Sequence, residues 1–384
     1  MEEFWDQLKD QQIIGLMFPG SHNSGNTKEL ASDGKCQSVY DGFKVQIQDA
    51  AGGLRSLVND PMLLTYFQPW NVNQHVSVTQ QLVDHGIRWL HLKVCNSLEE
   101  NSIAGPYNLS HIYHTHGGFT SMSLATILSD ILTFLGSHPK EIAIVGLNDF
   151  YQLENQALFS MAVADFIAEQ AEIQLIRAAD WTKTLSELVH EKRRLAIFMG
   201  NSSTEGILPS ADFLTENYDE IFQSEDFDAI KRWLQDDARA HTSSGKFYAF
   251  SAHPTKNVQT VSVNSIFSQG SDPMLEFQRR WFQEPYFPSF VEQLVENNRS
   301  LVLNGISTDF VEESGVFSLT MRLQGLCHAA SSTSTVTTTS TSVWTSTTMT
   351  AVALMYRISA SFSAGLHIWL PLLGLANYHR LLTH

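Results

Sequence analysis

A parallel α/β fold, wound into a TIM-type (β/α) barrel that is incomplete or distorted, is what this sequence predicts, on three observations. Short apolar runs alternate with amphipathic helical stretches through most of the chain, which is the pattern of βα units. No GxGxxG turn follows the first run, so an open dinucleotide-binding sheet is disfavoured. The chain has 384 residues, and a barrel routinely takes about 200 to 250 residues or more as one domain.

The strands expected, in order, are Ile13 to Met17, Ile87 to Val94, His111 to Thr115, Glu141 to Leu147, Arg194 to Met199, Lys246 to Ser251 and Leu301 to Ile306. Each is rich in aliphatic, β-branched or aromatic residues and bounded by turn formers. The clearest helix is SMSLATILSDILTFLGSHP. Ser123 is placed to cap it, Leu124, Ile127, Leu128, Ile131, Leu132 and Leu135 recur at helical spacing, and Gly136 with Pro139 supplies a stop. No internal repeat at a fixed period is visible.

Composition changes after Ala330, where SSTSTVTTTSTSVWTSTTMT is too poor in apolar residues to order itself and reads as a linker. Beyond it, Ile358 to Asn377 is uncharged and about as long as one membrane span, but His367, Pro371 and several serines interrupt it. The expected division is therefore a barrel over 1–328, a Ser/Thr-rich linker over 329–350, and an apolar tail over 351–384 that is either a membrane anchor or a loosely packed end.

Hydrophobic residues make up 43% of the chain and charged residues 17%, a globular composition. The net charge of −16, with 24 Lys and Arg against 40 Asp and Glu, argues against nucleic acid as a partner, because counterion release needs clustered cations. It also weakens electrostatic adhesion to anionic membrane. Three widely spaced cysteines, Cys36, Cys95 and Cys327, indicate neither a disulfide framework nor a CxxC metal site. A reducing compartment is therefore the default, and with an acidic start, MEEFWDQLKD, the expected location is the cytoplasm, either free or membrane-associated through the tail.

Three segments carry chemistry. In GIRWLHLKV, strand alternation puts Trp89, His91 and Lys93 on one face and Leu90, Leu92 and Val94 on the other. The next strand ends in HIYHTHGGF, where His116 precedes Gly117 and Gly118. His22, in PGSHNS, follows the first strand. All three reach the C-terminal strand ends, where barrel enzymes place their sites. Two imidazoles and a cation suit phosphodiester cleavage: one takes a proton from the attacking hydroxyl, the other protonates the leaving oxygen, and the cation offsets charge on phosphorus. HxH spacing at His114 and His116 also raises zinc, with His91 as a third ligand.

These residues resemble a family. PGSHNS (Pro19 to Ser24), VTQQLVDHGIRWLHLKV (Val78 to Val94), the HGG after a third strand, HPKEIAIVGLNDF (His138 to Phe150) and STDFVEESG (Ser307 to Gly315) come in the order found in the phosphatidylinositol-specific phospholipase C X-domain family. The resemblance is closest to X-domain-only proteins and more distant to the bacterial enzymes. It covers about Trp5 to Leu326. It implies a barrel that cleaves phosphatidylinositol or a related inositol phosphodiester, with His22 as the base that deprotonates the inositol 2-hydroxyl and His116 as the acid that releases diacylglycerol. Asp309 matches the acid that orients His22, and Asn23 sits where the calcium-dependent branch has a metal ligand.

In that calcium-dependent branch acidic residues stand at the places of His91, Lys93 and Gly146, whereas the metal-free bacterial enzymes carry an arginine at the place of Lys93. The resemblance therefore implies no cofactor, with Lys93 as the built-in cation. Lysine cannot grip a phosphate bidentately as arginine does, and His91 replaces an aspartate common in the bacterial and X-only patterns. Asn23, His91 and Asn148 are expected to line the substrate pocket. Aromatic pairs, Phe67 with Trp70 and Trp281 with Phe282, are candidates for a rim touching lipid. A weak or inactive phosphoinositide-binding protein of the same fold, and a metal-dependent barrel phosphodiesterase, are the alternatives.

Overall fold

Ten strands form one sheet. They are β1 (Phe18–Ser21), β2 (Trp89–Asn96), β3 (Ile112–His116), β4 (Phe119–Ser123), β5 (Ala143–Tyr151), β6 (Gln174–Leu175), β7 (Arg193–Met199), β8 (Leu214–Glu216), β9 (Phe247–Ser251) and β10 (Gly305–Thr308). The computed structural model describes residues 1–27, 35–36, 71–97, 107–116, 119–217, 226–241, 245–254, 273–283 and 285–326. The linker, the apolar tail, Cys327, Gly117, Gly118, Phe67 and Trp70 lie outside them.

The sheet order is β6-β7-β5-β2-β1-β10-β9-β8, with every pair along it parallel. Read from β1 in both directions, chain order runs around a ring that is open between the β6/β7 edge and β8. One isolated bridge, Phe198 to Leu208, lies on that seam. A flat sheet would set β7 and β9, five strand spacings apart, roughly 24 Å from each other. Instead the rings of Phe198 (β7) and Phe247 (β9) are 5.5 Å apart, and Trp89 (β2) lies 6.1 Å from the first and 5.2 Å from the second. The sheet is therefore curled into a barrel, as expected, with one seam lacking a regular ladder.

Alternation along the strands separates two cores. Phe18, Trp89, Ile144, Ala196, Phe198, Leu214, Phe247 and Ala249 fill the inside. Their neighbours in sequence, among them Leu90, Leu92, Val145, Ile197, Phe250 and Ile306, face outward and pack with the helices. Trp89 is a large interior side chain and needs its flanking strands bare: a Cβ on Gly20 or Gly146 would come closer than 3.0 Å to its ring. The helix Leu124–Ser137 forms as its spacing requires, with the Ser123 hydroxyl accepting from the Thr126 amide at 3.3 Å.

Four expectations are corrected. The apolar run Ile13 to Met17 is not the first strand; Ile13–Gly15 is a single 3-10 turn at the barrel bottom, and the strand is FPGS, β1, just after it. The last strand, expected over Leu301 to Ile306, forms at Gly305–Thr308, because Leu301 and Leu303 are buried in a non-strand approach to it. The third expected strand is not a barrel stave: β3 pairs antiparallel with β2 and with β4, so it is a hairpin folded over the end of β2. Trp281 cannot form a lipid-touching rim. It is fully buried, donates its indole N–H to the Ala252 carbonyl at 3.0 Å, and Phe282 packs against the same core.

The cysteines also depart from expectation. Cys36 and Cys95 are buried and joined in a disulfide with a Cα–Cα distance of 6.0 Å. That removes the ground on which a reducing compartment was expected. Among the described residues no helix is long and apolar enough to cross a membrane.

Candidate active site

β1 delivers His22 one residue past its end, where the backbone still follows the sheet: the His22 amide donates to the Thr308 carbonyl at 3.0 Å. Asn23 then turns the chain with φ of 45°, a left-handed conformation that asparagine adopts more readily than most residues. The Ser24 amide donates to the His91 carbonyl at 2.9 Å. The stretch from His22 to Asn26 is thus a buried turn held between β2 and β10, and Ser21, His22, Asn23, Ser24 and Asn26 are all buried.

Nδ1 of His22 lies 2.8 Å from Oδ1 of Asp309, one residue past the end of β10. Asp309 is fully buried and also accepts from Asn73 Nδ2 at 3.0 Å and Gln278 Nε2 at 3.2 Å. Burial pushes its carboxyl well above the ordinary range, and the Asn73 bond opposes that push. Since the donors on both sides suit a carboxylate, the His22 proton sits on Nδ1 and leaves the Nε2 lone pair free. His22 itself is held well below the usual imidazole value by burial first, then by repulsion from His253, His91, Lys93 and His116. Phe310, next to Asp309, has φ of 48°. For a bulky residue this conformation costs roughly 1 to 2 kcal/mol, and it is held by the Phe310 amide donating to the Asn73 carbonyl at 2.7 Å.

Strand alternation in β2 behaves as expected, with Trp89 in the barrel interior and His91 and Lys93 above it toward the mouth. The His91 ring is stacked 5.1 Å from that of His22. Its Nδ1 accepts a long hydrogen bond, 3.4 Å, from the Asn23 amide, so its proton is on Nε2. Lys93 reaches 2.9 Å from Oδ2 of Asp149. Asp149, at φ of 49°, is the third residue in left-handed backbone at this end of the barrel.

The hairpin brings His116 back over the mouth. Its ring centroid is 6.3 Å from that of His22 and nearly perpendicular to it, at 84°. Nδ1 lies 3.2 Å from the Asn71 carbonyl, to which it donates, so Nε2 is the nitrogen left for other work. Burial and Lys93 lower its pKa to about 4. Asn148, paired with Lys93 across the β2/β5 ladder, donates to Glu216 at 2.6 Å. Glu216 keeps solvent access while protein surrounds much of it, as in a concave mouth. Desolvation lifts its carboxyl to about 7.

His22, His91, Lys93, His116, Asp309, Asn23 and Asn148 therefore gather at one end of the barrel. Asn73, Glu216 and His253 were not singled out by the sequence. Asn73 is the hub of the buried network, since Asn23 Nδ2 (3.2 Å) and Asn26 Nδ2 (2.6 Å) donate to its carbonyl oxygen while its own amide donates to Asp309. Nothing local marks it within NVNQ. His253 is buried with its ring 3.6 Å from that of His22, and its sequence context, a histidine before a proline, carries no signal for that place.

The donor set does not fit calcium, which takes six to eight oxygens. Imidazole and ammonium stand at His91 and Lys93, and the Trp89 ring occupies the space that any side chain at Gly146 would need. Of the positions where the calcium-dependent branch has ligands, Asn23 alone offers an oxygen, while the other carboxylates of the mouth are engaged, Asp149 by Lys93, Glu216 by Asn148 and Asp309 by His22. For zinc, His114 is buried beneath the hairpin with Nδ1 3.4 Å from the Ser121 hydroxyl. Among the described residues no group of three His, Cys, Asp or Glu side chains could hold a metal ion.

A family model of the PI-PLC X domain matches residues 68–239, which include His91, Lys93, His116 and Glu216. Over those residues, a little under half of its length, the chain is similar to the PI-PLC X-domain family. Two curated X-domain relatives, PI-PLC X domain-containing protein 1 of Mus musculus and of Homo sapiens, are each 25% identical, over 39% and 46% of this chain. The matched stretch spans 39% of the mouse protein and 51% of the human one, about half or less of their length. Among solved structures, two of the phosphatidylinositol-specific phospholipase C from Staphylococcus aureus align at a TM-score of 0.50. Their identities are 14% and 13%, and they cover 83% of this chain and 95% or 96% of their own. At that identity the likeness concerns the barrel fold.

Proposed function

We propose that the chain is a phosphoric diester hydrolase or lyase that cleaves phosphatidylinositol or a related inositol phosphodiester by histidine general base and general acid catalysis, without calcium. The observation that carries this reading is the pair His22 and His116, with ring centroids 6.3 Å apart at one barrel mouth and Asp309 behind the first. With the two rings nearly perpendicular, hydrogen bonds of about 2.8 Å from each can converge at an angle on two oxygens of one phosphate seated beside them.

In the proposed reaction Nε2 of His22 takes the proton of the inositol 2-hydroxyl, whose oxygen attacks phosphorus and closes a cyclic phosphate. The bond from phosphorus to the glycerol oxygen breaks, and His116 gives that oxygen its proton. Lys93 lies against the phosphate oxygens as negative charge grows there. Substrate phosphate beside His116 offsets the repulsion from Lys93, so the ring gains its proton on binding. Asn23, His91 and Asn148, with Glu216, present hydrogen-bonding groups to the headgroup. The domain division set out from the sequence belongs to this proposal, with the 1–328 barrel as the catalytic part.

Inositol-phosphate release in the presence of a chelator tests both halves. Undiminished release, lost in H22A, is expected. Loss on chelation alone defeats the metal-free half, and full activity of H22A defeats the catalytic half.

One observation favours a second reading, a phosphoinositide-binding protein with little turnover: Lys93 is ion-paired to Asp149 and so only partly available to a phosphate. Binding to phosphatidylinositol vesicles without turnover, across a panel of inositol lipids, is the result that would select it.

A further inference from the structure

Among the imidazoles at the barrel mouth, neither the family resemblance nor the proposed chemistry has a use for His114 or His253, and of the two it is His253 that stacks on His22. His253 follows β9 in SAHP, is fully buried, and lies face to face with His22 at 3.6 Å between centroids and 12° between planes. The His91 ring, from β2, is stacked with His22 at 5.1 Å and 20°, and the sheet order β2-β1-β10-β9 brings it to His22 from the side opposite to His253. His22 is thus the middle ring of three nearly parallel imidazoles. Its Nδ1 contact with Asp309 fixes one in-plane direction. A single hydrogen bond still allows the ring to rock about that contact, and the two flanking faces remove this freedom.

We propose that His253 is a positioning residue for His22, clamping the plane of the ring and keeping water off one face so that Nε2 is presented in a single orientation. This rests on the base role proposed above for His22. His253 suits the task because it stays neutral. Burial, with smaller contributions from Lys93 and His116, lowers its pKa to about 3. A neutral ring adds little repulsion when His22 takes up a proton, and its π face favours the cation so formed. The groups that face the stack are His91 and Lys93 from β2, His116 from the hairpin, and Asp309 after β10, with Asp149 against Lys93.

The test compares H253A and H253F with the wild type, in full-length protein labelled with ¹⁵N-histidine and shown to be folded by circular dichroism. In H253A water enters beside His22, so the midpoint of its titration by NMR rises by at least about 1 pH unit. The acid limb of the pH profile for hydrolysis of a water-soluble inositol phosphodiester moves with it. Misaiming of the base lowers kcat by roughly 10- to 100-fold, while KM changes little. H253F restores a flat buried surface and brings back the midpoint and most of kcat. If H253F does not fold, H253A alone decides.

An unchanged His22 midpoint and unchanged kcat in folded H253A would overturn the clamp. So would a folded H253F as impaired as H253A. If the wild type turns over no inositol phosphodiester yet the midpoint moves as stated, the phosphodiesterase reading fails and the clamp stands.

Discussion

The two ends of β2 carry opposite electrostatics. At the bottom, Arg88 donates to Glu141 at 2.8 Å and to the carbonyls of Leu82 and Ile87, also at 2.8 Å. Glu141 takes the Met1 ammonium at 2.6 Å as well. Each buried charge there meets its opposite, and Arg88 with the Met1 amine outweighs burial to hold Glu141 at about 2. Five residues up the strand, Lys93 stands among His22, His91, His114, His116 and His253. Burial holds all five rings below their ordinary value, and Lys93 adds to each. The mouth also carries the left-handed Asn23, Asp149 and Phe310. One end is arranged for stability; the other keeps like charges and strained backbone together, an arrangement that persists where a site requires it.

That contrast breaks most sharply under mutation. Replacing His116 with Ala at the mouth should cut inositol phosphodiester cleavage by about 10²- to 10⁴-fold without lowering the denaturation midpoint in urea. Equal loss of stability would mean that the mouth is structural too. At the bottom, E141A leaves Arg88 buried without its partner. It should cost roughly 3 to 5 kcal/mol in the same urea titration, while activity per folded molecule is unchanged.

Next in size is the Cys36–Cys95 disulfide, which spans 59 residues of sequence. Loop-closure entropy sets its contribution at up to about 4 kcal/mol. Adding a reductant should lower the melting temperature, and peptide mapping without reductant should recover the linked pair. Two free thiols in that map would remove the bond from the account.

The smallest effect per group is acid sensitivity. The unfolded chain's histidines titrate near 6.5, whereas the five buried ones titrate lower. Between those values the unfolded state binds more protons, so stability is complete above about pH 6.5 and falls on acidification. Each imidazole contributes about 1.4 kcal/mol per pH unit across its own window. Calorimetry from pH 7 to pH 5 should show a falling melting temperature, and a flat profile would mean that the rings are solvated.

Much of the mouth was legible because strand alternation and short motifs fix it locally. WLHLK places His91 and Lys93 on the interior face without reference to the rest of the chain, and His22, His116 and Asp309 end or follow strands. Where local pattern misled, long-range packing decided. Ile13 to Met17 is apolar because it plugs the barrel bottom, while FPGS is a strand despite Gly20, which is bare because Trp89 lies over it. The hairpin character of β3 depends on pairing with both β2 and β4. Asn73, Glu216 and His253 acquire their places through partners far away in sequence, at Asp309, Asn148 and His22.

The most direct measurement is a crystal structure with an inositol phosphate soaked into the barrel. Here the account predicts one phosphate between His22 and His116, with oxygens within about 3 Å of a ring nitrogen of each and the Lys93 ammonium alongside. A phosphate touching only one of those rings, or bound at the opposite end beside Arg88, would contradict it.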